Sequence, residues 1–365
     1  MKLGVIGLGL RMSSMVKEFA KEDPDFSLVG IVDENVETAL SRLPEEWKDK
    51  VQVFTDIHAL VREATPDALA IGTRCDSHAR LACEAAEYGV PLYLEKPIAT
   101  NPADAVRLEK AFARNPDQVL VSFPLRASYL CRAVRARLEG GAVGRAEHIL
   151  AINYVPYGDV YFKDWYRDYE VTQGLLLQKA THDFDYISYL MGSPIARVVA
   201  SLARGRVYRD IRSVKDGVQE ASCFYGEGIG LPEEGCNEDA TNVLLEFENG
   251  AIGVYTQVFY SKRKAGRRGA RISGWEGTLH FDWADSQLEI IKHHEPAVET
   301  VAFDNKEGHF GGDSGLARNF VAMVKDGAKP LAPIRVGLQS VYACLAAKQS
   351  VEEKRFVDVR KLSED

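Results

Sequence analysis

The run from Leu175 to Met191 is apolar except where QKATHDFDYI, Gln178 to Ile187, places Lys179, His182, Asp183 and Asp185 among core-type residues. If residues 174–191 form a helix, Leu177, Ala180, Phe184, Ile187 and Leu190 make one apolar stripe, and Gln178, His182 and Asp185 make a second row. Lys179, Asp183 and Tyr186 fall beside that row. A surface helix with Lys179 and Asp183 paired at i,i+4, a contribution of about 0.3 kcal/mol, accounts for those two but not for His182. Histidine titrates near ambient pH with little tuning, which suits it to general acid–base work.

A second candidate base lies in PLYLEKPIATNPADAV, where Glu95, Lys96 and Pro97 end a strand-like run and Asn101, Pro102 and Asp104 form a well-made helix start. Lys96 would need its pKa lowered by partial burial and neighbouring positive charge. A solvated loop lysine is the alternative. The same edge is implied for GVIGLGLRM, in which Gly7 and Gly9 follow the first strand and Leu10, Arg11 and Met12 open a helix. A tight glycine turn that lets backbone approach a pyrophosphate at a helix N-terminus suits a dinucleotide. Met12 occupies the position of the third glycine in that pattern, which predicts looser helix–strand packing. Asp33, closing the next strand in GIVD, stands where an acid meets ribose hydroxyls, and its charge favours NAD over NADP. In IGTRCDSHARLA, Thr73 and His78 lie at a strand's carboxyl edge; they face the cofactor, or Ser77 caps the next helix and His78 sits on its first turn.

These groups require a frame. Residues 1–124 alternate short apolar runs with helical spacing, which predicts a doubly wound α/β fold with a parallel sheet. From 125 to 365 the strand-like runs follow one another, and Asn249-Gly250 marks a hairpin, so a second α/β domain with an open, mainly antiparallel sheet is expected. Residues 205–240 read as a long irregular loop, about 335–353 as a C-terminal helix near the domain interface, and FVDV as a last short strand.

Composition narrows the function. The 365 residues carry a net charge of −8, which opposes a sequence-independent grip on nucleic acid. No apolar run approaches the roughly 20 residues of a membrane span. The glycine-broken N-terminus is a poor signal peptide, so a cytoplasmic protein is expected. Cys75, Cys83, Cys131, Cys223, Cys236 and Cys344 show no metal-type spacing, and neither a metal nor disulfides are expected.

The GLGLRM turn, Asp33, GTRCDSHARLACEAAEYGVPLYLEKPIA and HDFD together resemble the Gfo/Idh/MocA family of oxidoreductases. GAVGRAEHI at 141–149, GWEGTLHFD at 274–282 and LAAKQS also fit. The resemblance implies an N-terminal Rossmann domain and oxidation of a sugar or polyol hydroxyl with bound NAD(P). It also implies that Lys96 and His182 surround the reacting carbinol, with either as base. Asp185 then orients His182 or binds another hydroxyl. Gln178 stands where the family often has aspartate, which points to Lys179 as a substrate contact.

Further substrate-binding candidates are Arg126, Tyr154, Tyr157, Trp165, Tyr166 and His309, the last in a turn with Asp313 that reads as a helix start or as a hydroxyl-binding loop. SKRKAGRRGAR, 261–271, reads as a solvated hairpin tip or as a contact for a neighbouring subunit or an anionic sugar substituent. A homo-oligomer through the open sheet face is expected. Besides a dehydrogenase, a redox-neutral enzyme with a transient keto-sugar and a sugar-responsive regulator that keeps bound NAD both fit these features.

Overall fold

The computed structural model describes residues 1–208, 213–215, 218–220, 237–304 and 308–362. Most of the 205–240 stretch, with Cys223 and Cys236, lies outside them. The chain forms two compact units. One is Met1–Tyr129 with a later segment ending at Val341; the other is Leu130–Asp304 with Tyr342–Lys361.

The first unit is built on six parallel strands, β1 (Lys2–Ile6), β2 (Ser27–Val32), β3 (Gln52–Val53), β4 (Ala68–Ile71), β5 (Leu92–Leu94) and β6 (Val119–Val121), in the order β3-β2-β1-β4-β5-β6. Helices between consecutive strands cover the sheet. That is why Leu3, Val5, Leu69, Ala70, Leu92, Leu94 and Val119–Val121 are all buried. The strand order reverses between β1 and β4, a switch point whose carboxyl edge is where such folds take ligands. Helix Gly312–Asp326 also belongs to this unit. It packs on helix Leu10–Glu22 through Phe19, Tyr93 and Phe320, whose ring centroids are 5.2–5.6 Å apart. Sequence texture alone assigns that segment to the second half.

The second unit holds β7 (His148–Tyr154), β8 (Ile195–Arg204), a small pair β9 (Ser213–Lys215) and β10 (Val218–Glu220), β11 (Glu238–Phe247), β12 (Ile252–Val258), β13 (Arg267–Ser273), β14 (Gly277–Asp282), β15 (Gln287–Lys292), β16 (Val298–Ala302) and β17 (Val357–Asp358). Nine of them form one sheet, β16-β15-β14-β13-β7-β12-β11-β8-β17. Its pairings are antiparallel apart from β7 with β12. The Asn249-Gly250 hairpin forms between β11 and β12, with Gly250 at φ 87°. Strand alternation gives the sheet two faces. Ile149, Ala151, Asn153, Val243, Tyr255 and Gln257 are buried, while Leu150, Leu244 and Ile252 on the other face are 40–56% exposed.

The expected helix over 174–191 is two helices, Leu175–Gln178 and Ala180–Met191, meeting at Lys179. Its first turn is held by the buried Glu238, which accepts from the amides of Leu175 and Leu176 and pairs with Arg204 at 2.9 Å. Among the described residues, no helix is long and apolar enough to cross a membrane.

Candidate active site

Parallel topology puts the carboxyl ends of β1, β4 and β5 on one edge of the first sheet, so the glycine turn, Thr73 and Lys96 are brought to that edge together. Gly7 has φ +79°, and a Cβ there would lie 2.6–2.8 Å from Thr73, so the backbone passes the β4 loop too closely for any side chain. Gly9 is the N-cap of helix Leu10–Glu22 and provides no side-chain cap, leaving first-turn amides available to an anion. Asp33 accepts from Leu8 N at 2.7 Å and Asn35 N at 2.9 Å, which fixes its carboxylate at the end of β2. A dinucleotide fits this cradle: bare amides for the pyrophosphate and an acid for ribose.

One expectation at this edge is corrected, and one of the two alternatives for His78, a surface position, is excluded. Met12 does not loosen the packing: it is fully buried, and a Cβ on Gly72 would meet its side chain at 2.8 Å. The small residue that the turn lacks in the helix is supplied by the facing strand end, so Met12 is a core residue. His78 is no surface residue of a first helical turn. It is buried, with Nδ1 2.8 Å from the Pro97 carbonyl oxygen and Nε2 3.2 Å from that of Thr73. Its ring ties the β4 loop to the Lys96–Pro97 turn, where the peptide bond is cis. Burial pushes its pKa down, so the ring is neutral and donates to one carbonyl at a time.

Arg11 and Glu95 belong to one network rather than acting singly. Arg11 Nε is 3.1 Å from Glu95 Oε1, and Arg11 Nη1 is 2.8 Å from Asp313 Oδ1. Ser122 Oγ donates to Glu95 at 2.9 Å and accepts from Tyr93 at 2.8 Å. Burial works against the Arg11 charge, and Glu95, ahead of Asp313, outweighs it and raises its pKa. His309 joins here, its Nδ1 2.9 Å from Asp313 Oδ2. It thus sits in the cofactor unit, not in the second unit where a substrate contact was expected. Burial would raise the Asp313 carboxyl, but His309 and then Arg11 hold it below the ordinary range. Lys96 is half-buried on the turn after β5, and Arg126 is half-buried on helix Pro124–Ala127, which follows β6.

In the second unit, Gln178, Lys179, His182 and Asp185 are all 2–9% exposed. Lys179 does not pair with Asp183. Its Nζ donates to Tyr161 Oη at 2.9 Å and Tyr157 Oη at 3.1 Å, and stands 5.1–5.3 Å from both ring centroids. Burial would lower its pKa, and the Tyr161 and Tyr157 oxygens outweigh this and raise it. The Lys179 charge in turn pulls the Tyr157 phenol down. Trp165 stacks on Tyr166 at 3.8 Å, and Tyr166 meets Tyr161 edge-on at 5.3 Å, so the aromatic segment surrounds Lys179. Tyr154 is not brought to this cluster. Its neighbour Asn153 faces the helix, so alternation along β7 turns Tyr154 to the open face of the sheet.

Asp183 is instead the hub of a buried network that sequence reasoning missed. Its Oδ1 accepts from Arg268 Nε at 2.8 Å and forms an ion pair with Nη2 at 2.7 Å; its Oδ2 accepts from Asn153 Nδ2 at 2.8 Å and Tyr255 Oη at 2.7 Å. The signal was present in the strand period. Arg268 shares parity with the inward Ala270 and Ile272, and Asn153 with Ile149 and Ala151. Arg268 therefore leaves the basic run and enters the core. Among the described residues, no group of three or more His, Cys, Asp or Glu side chains could hold a metal ion.

Residues 1–123 match the family described as oxidoreductase family, NAD-binding Rossmann fold, and residues 131–280 match the GFO/IDH/MocA C-terminal domain. Myo-inositol 2-dehydrogenase of Thermotoga maritima is 26% identical over 380 aligned positions, covering 99% of both chains. An inositol 2-dehydrogenase of Pseudomonas fluorescens is 23% identical over 79% of this chain and 94% of its own. Among solved structures, levoglucosan dehydrogenase with NADH and L-sorbose superposes with a TM-score of 0.84 at 19% identity, covering all of both chains. An oxidoreductase domain protein from Kribbella flavida superposes with a TM-score of 0.81 at 20% identity, covering 98% and 99%. These structures share the fold.

Proposed function

The chain belongs to the Gfo/Idh/MocA family of oxidoreductases, with an NAD-binding Rossmann domain, and from that premise we propose that it oxidises a secondary hydroxyl of a sugar, glycoside or cyclitol. One observation carries the reading: Lys96 stands at the same sheet edge as the Gly7–Gly9 turn, beside Glu95, which Arg11 of that turn holds at 3.1 Å. Relatives named for inositol oxidation and fold neighbours named for levoglucosan oxidation support the substrate class.

When bound, NAD supplies the hydride acceptor. In this proposal Lys96 and His182 hydrogen-bond the reacting hydroxyl and one of them takes its proton, while Asp185 orients His182 or holds a second hydroxyl. Gln178, Lys179, Arg126 and Trp165 hold the rest of the substrate. Asp33 selects NAD, since its carboxylate repels the 2′-phosphate of NADP. The exposed Leu150, Leu244 and Ile252 favour assembly of copies through the open face of the second sheet. A cytoplasmic setting is part of the same proposal.

The test is turnover of NAD against a panel of sugars and cyclitols with wild type and Lys96→Ala. The variant should lose hydride transfer by about a thousandfold or more while binding NADH normally. Near-wild-type turnover would remove Lys96 from the chemistry. Product formed without net NADH would replace the dehydrogenase with a redox-neutral enzyme.

A further inference from the structure

We propose that the substrate carries a carboxylate, as a uronic acid does, and that Lys179 is the residue that binds it. The inference rests on the dehydrogenase reading above and narrows its substrate class. Lys179 is 6% exposed, yet among the described residues no carboxylate lies within 4 Å of its Nζ. An ammonium has three donors, and two of them go to the Tyr157 and Tyr161 phenols, which bring oxygen lone pairs but no full negative charge. Among the described residues the third N–H has no acceptor, and a buried ammonium makes its strongest hydrogen bond to one that carries a full negative charge.

The acid one turn along cannot serve. Both oxygens of Asp183 are already filled by Arg268, Asn153 and Tyr255. A basic loop lies against the Tyr157 segment. Lys262 is joined to Asp159, and a Cβ on Gly266 would lie 2.8 Å from Pro156, so the basic 262–265 loop flanks the segment that carries Tyr157. Arg263 and Lys264 on that loop are exposed, and among the described residues neither has an ion-pair partner. Their charges lie on the loop that flanks the Tyr157 segment and favour the approach of an anion to it.

The geometry also suits a sugar acid better than a bare anion. Tyr157 is 55% exposed, so a solute from water meets the Lys179–Tyr157 pair first. The Trp165–Tyr166 stack and the edge-on Tyr161 make the surroundings of Lys179 aromatic, the kind of surface on which sugars pack. A single lysine with one donor to give fits one carboxylate oxygen. Phosphate sites more often add an arginine fork or a run of backbone amides.

The experiment is calorimetric titration of the NADH-loaded enzyme with D-glucuronate, D-galacturonate and D-mannuronate, with their methyl esters, and with the parent neutral sugars. At least one acid should bind about 100-fold more tightly than its ester, as a buried charge-assisted contact does. Lys179→Met should reduce that ratio to a few-fold, and Lys179→Arg should restore part of it. Equal binding of acid and ester, no binding of any acid, or an intact ratio in Lys179→Met would overturn the inference. The acid–ester comparison in wild type does not depend on the variant folding. NAD reduction with the same compounds separates the two readings. An acid preference without NADH formation supports the anion site and refutes the dehydrogenase. NADH formation from neutral sugars with no acid preference does the reverse.

Discussion

Replacing Asp183 by Asn is the sharpest test of how the second unit holds helix Ala180–Met191. Asp183 is fully buried and is the shared acceptor of Arg268, Asn153 and Tyr255. Each of its two oxygens faces donors, so an amide, whichever way it turns, sets an NH2 group against a donor. The larger effect is on Arg268, whose side chain is 14% exposed and would keep its charge without a counterion. Burial already opposes that charge, and Asp183 is the chief group that offsets it. Breaking one side of a buried pair costs about 3–5 kcal/mol. For a domain of this size each kcal/mol moves Tm by about 2–4 °C, so the transition of the second unit should fall by roughly 6–20 °C in scanning calorimetry. Replacing both partners together, Asp183→Leu with Arg268→Met, should recover much of the loss, because no uncompensated charge remains. A loss under about 1 kcal/mol for Asp183→Asn, or additive losses in the double variant, would show that the network is not the support described.

Gly7→Ala places a Cβ 2.6–2.8 Å from Thr73 at φ +79°, and it should weaken NADH binding by about tenfold or more in a fluorescence titration; unchanged affinity would refute the close approach. Burial would raise the Asp23 carboxyl, but hydrogen bonds from Lys325 and the Met1 amino group hold it at about 2. Because the folded pKa is depressed, this stability is present above about pH 4 and is lost as pH falls toward 2. The contribution is about 2 kcal/mol. Asp23→Asn should therefore cost about that much at neutral pH and flatten the acid limb of a stability–pH profile, and an unchanged profile would refute the pairing.

Much of this protein was legible in one dimension. Apolar runs separated by helical spacing predicted the parallel sheet. Gly7, Gly9, Asp33 and Lys96 were expected on one edge of it, and they lie there, since parallel strands put every carboxyl end on the same side. The Asn249-Gly250 hairpin followed from turn residues alone. These features are local, or follow from strand direction, and a sequence states both. What the sequence could not state is which groups meet across the fold. Met12 looked like a defect in the glycine turn until Gly72, just past the end of β4, was seen to make room for it. Lys179 and Asp183 looked like an i,i+4 pair, because spacing is all that a helix shows by itself. In three dimensions Asp183 is taken by Arg268, a residue 85 positions later, and Lys179 by two tyrosines upstream. His309 appeared to belong to the second half until the packing of helix Gly312–Asp326 on helix Leu10–Glu22 brought it beside Arg11 and Asp313. Local spacing sets which partners a charged side chain can reach, whereas burial decides which one it must have. That choice is made by tertiary packing, where an unpaired charge costs more than any helix-surface pair returns.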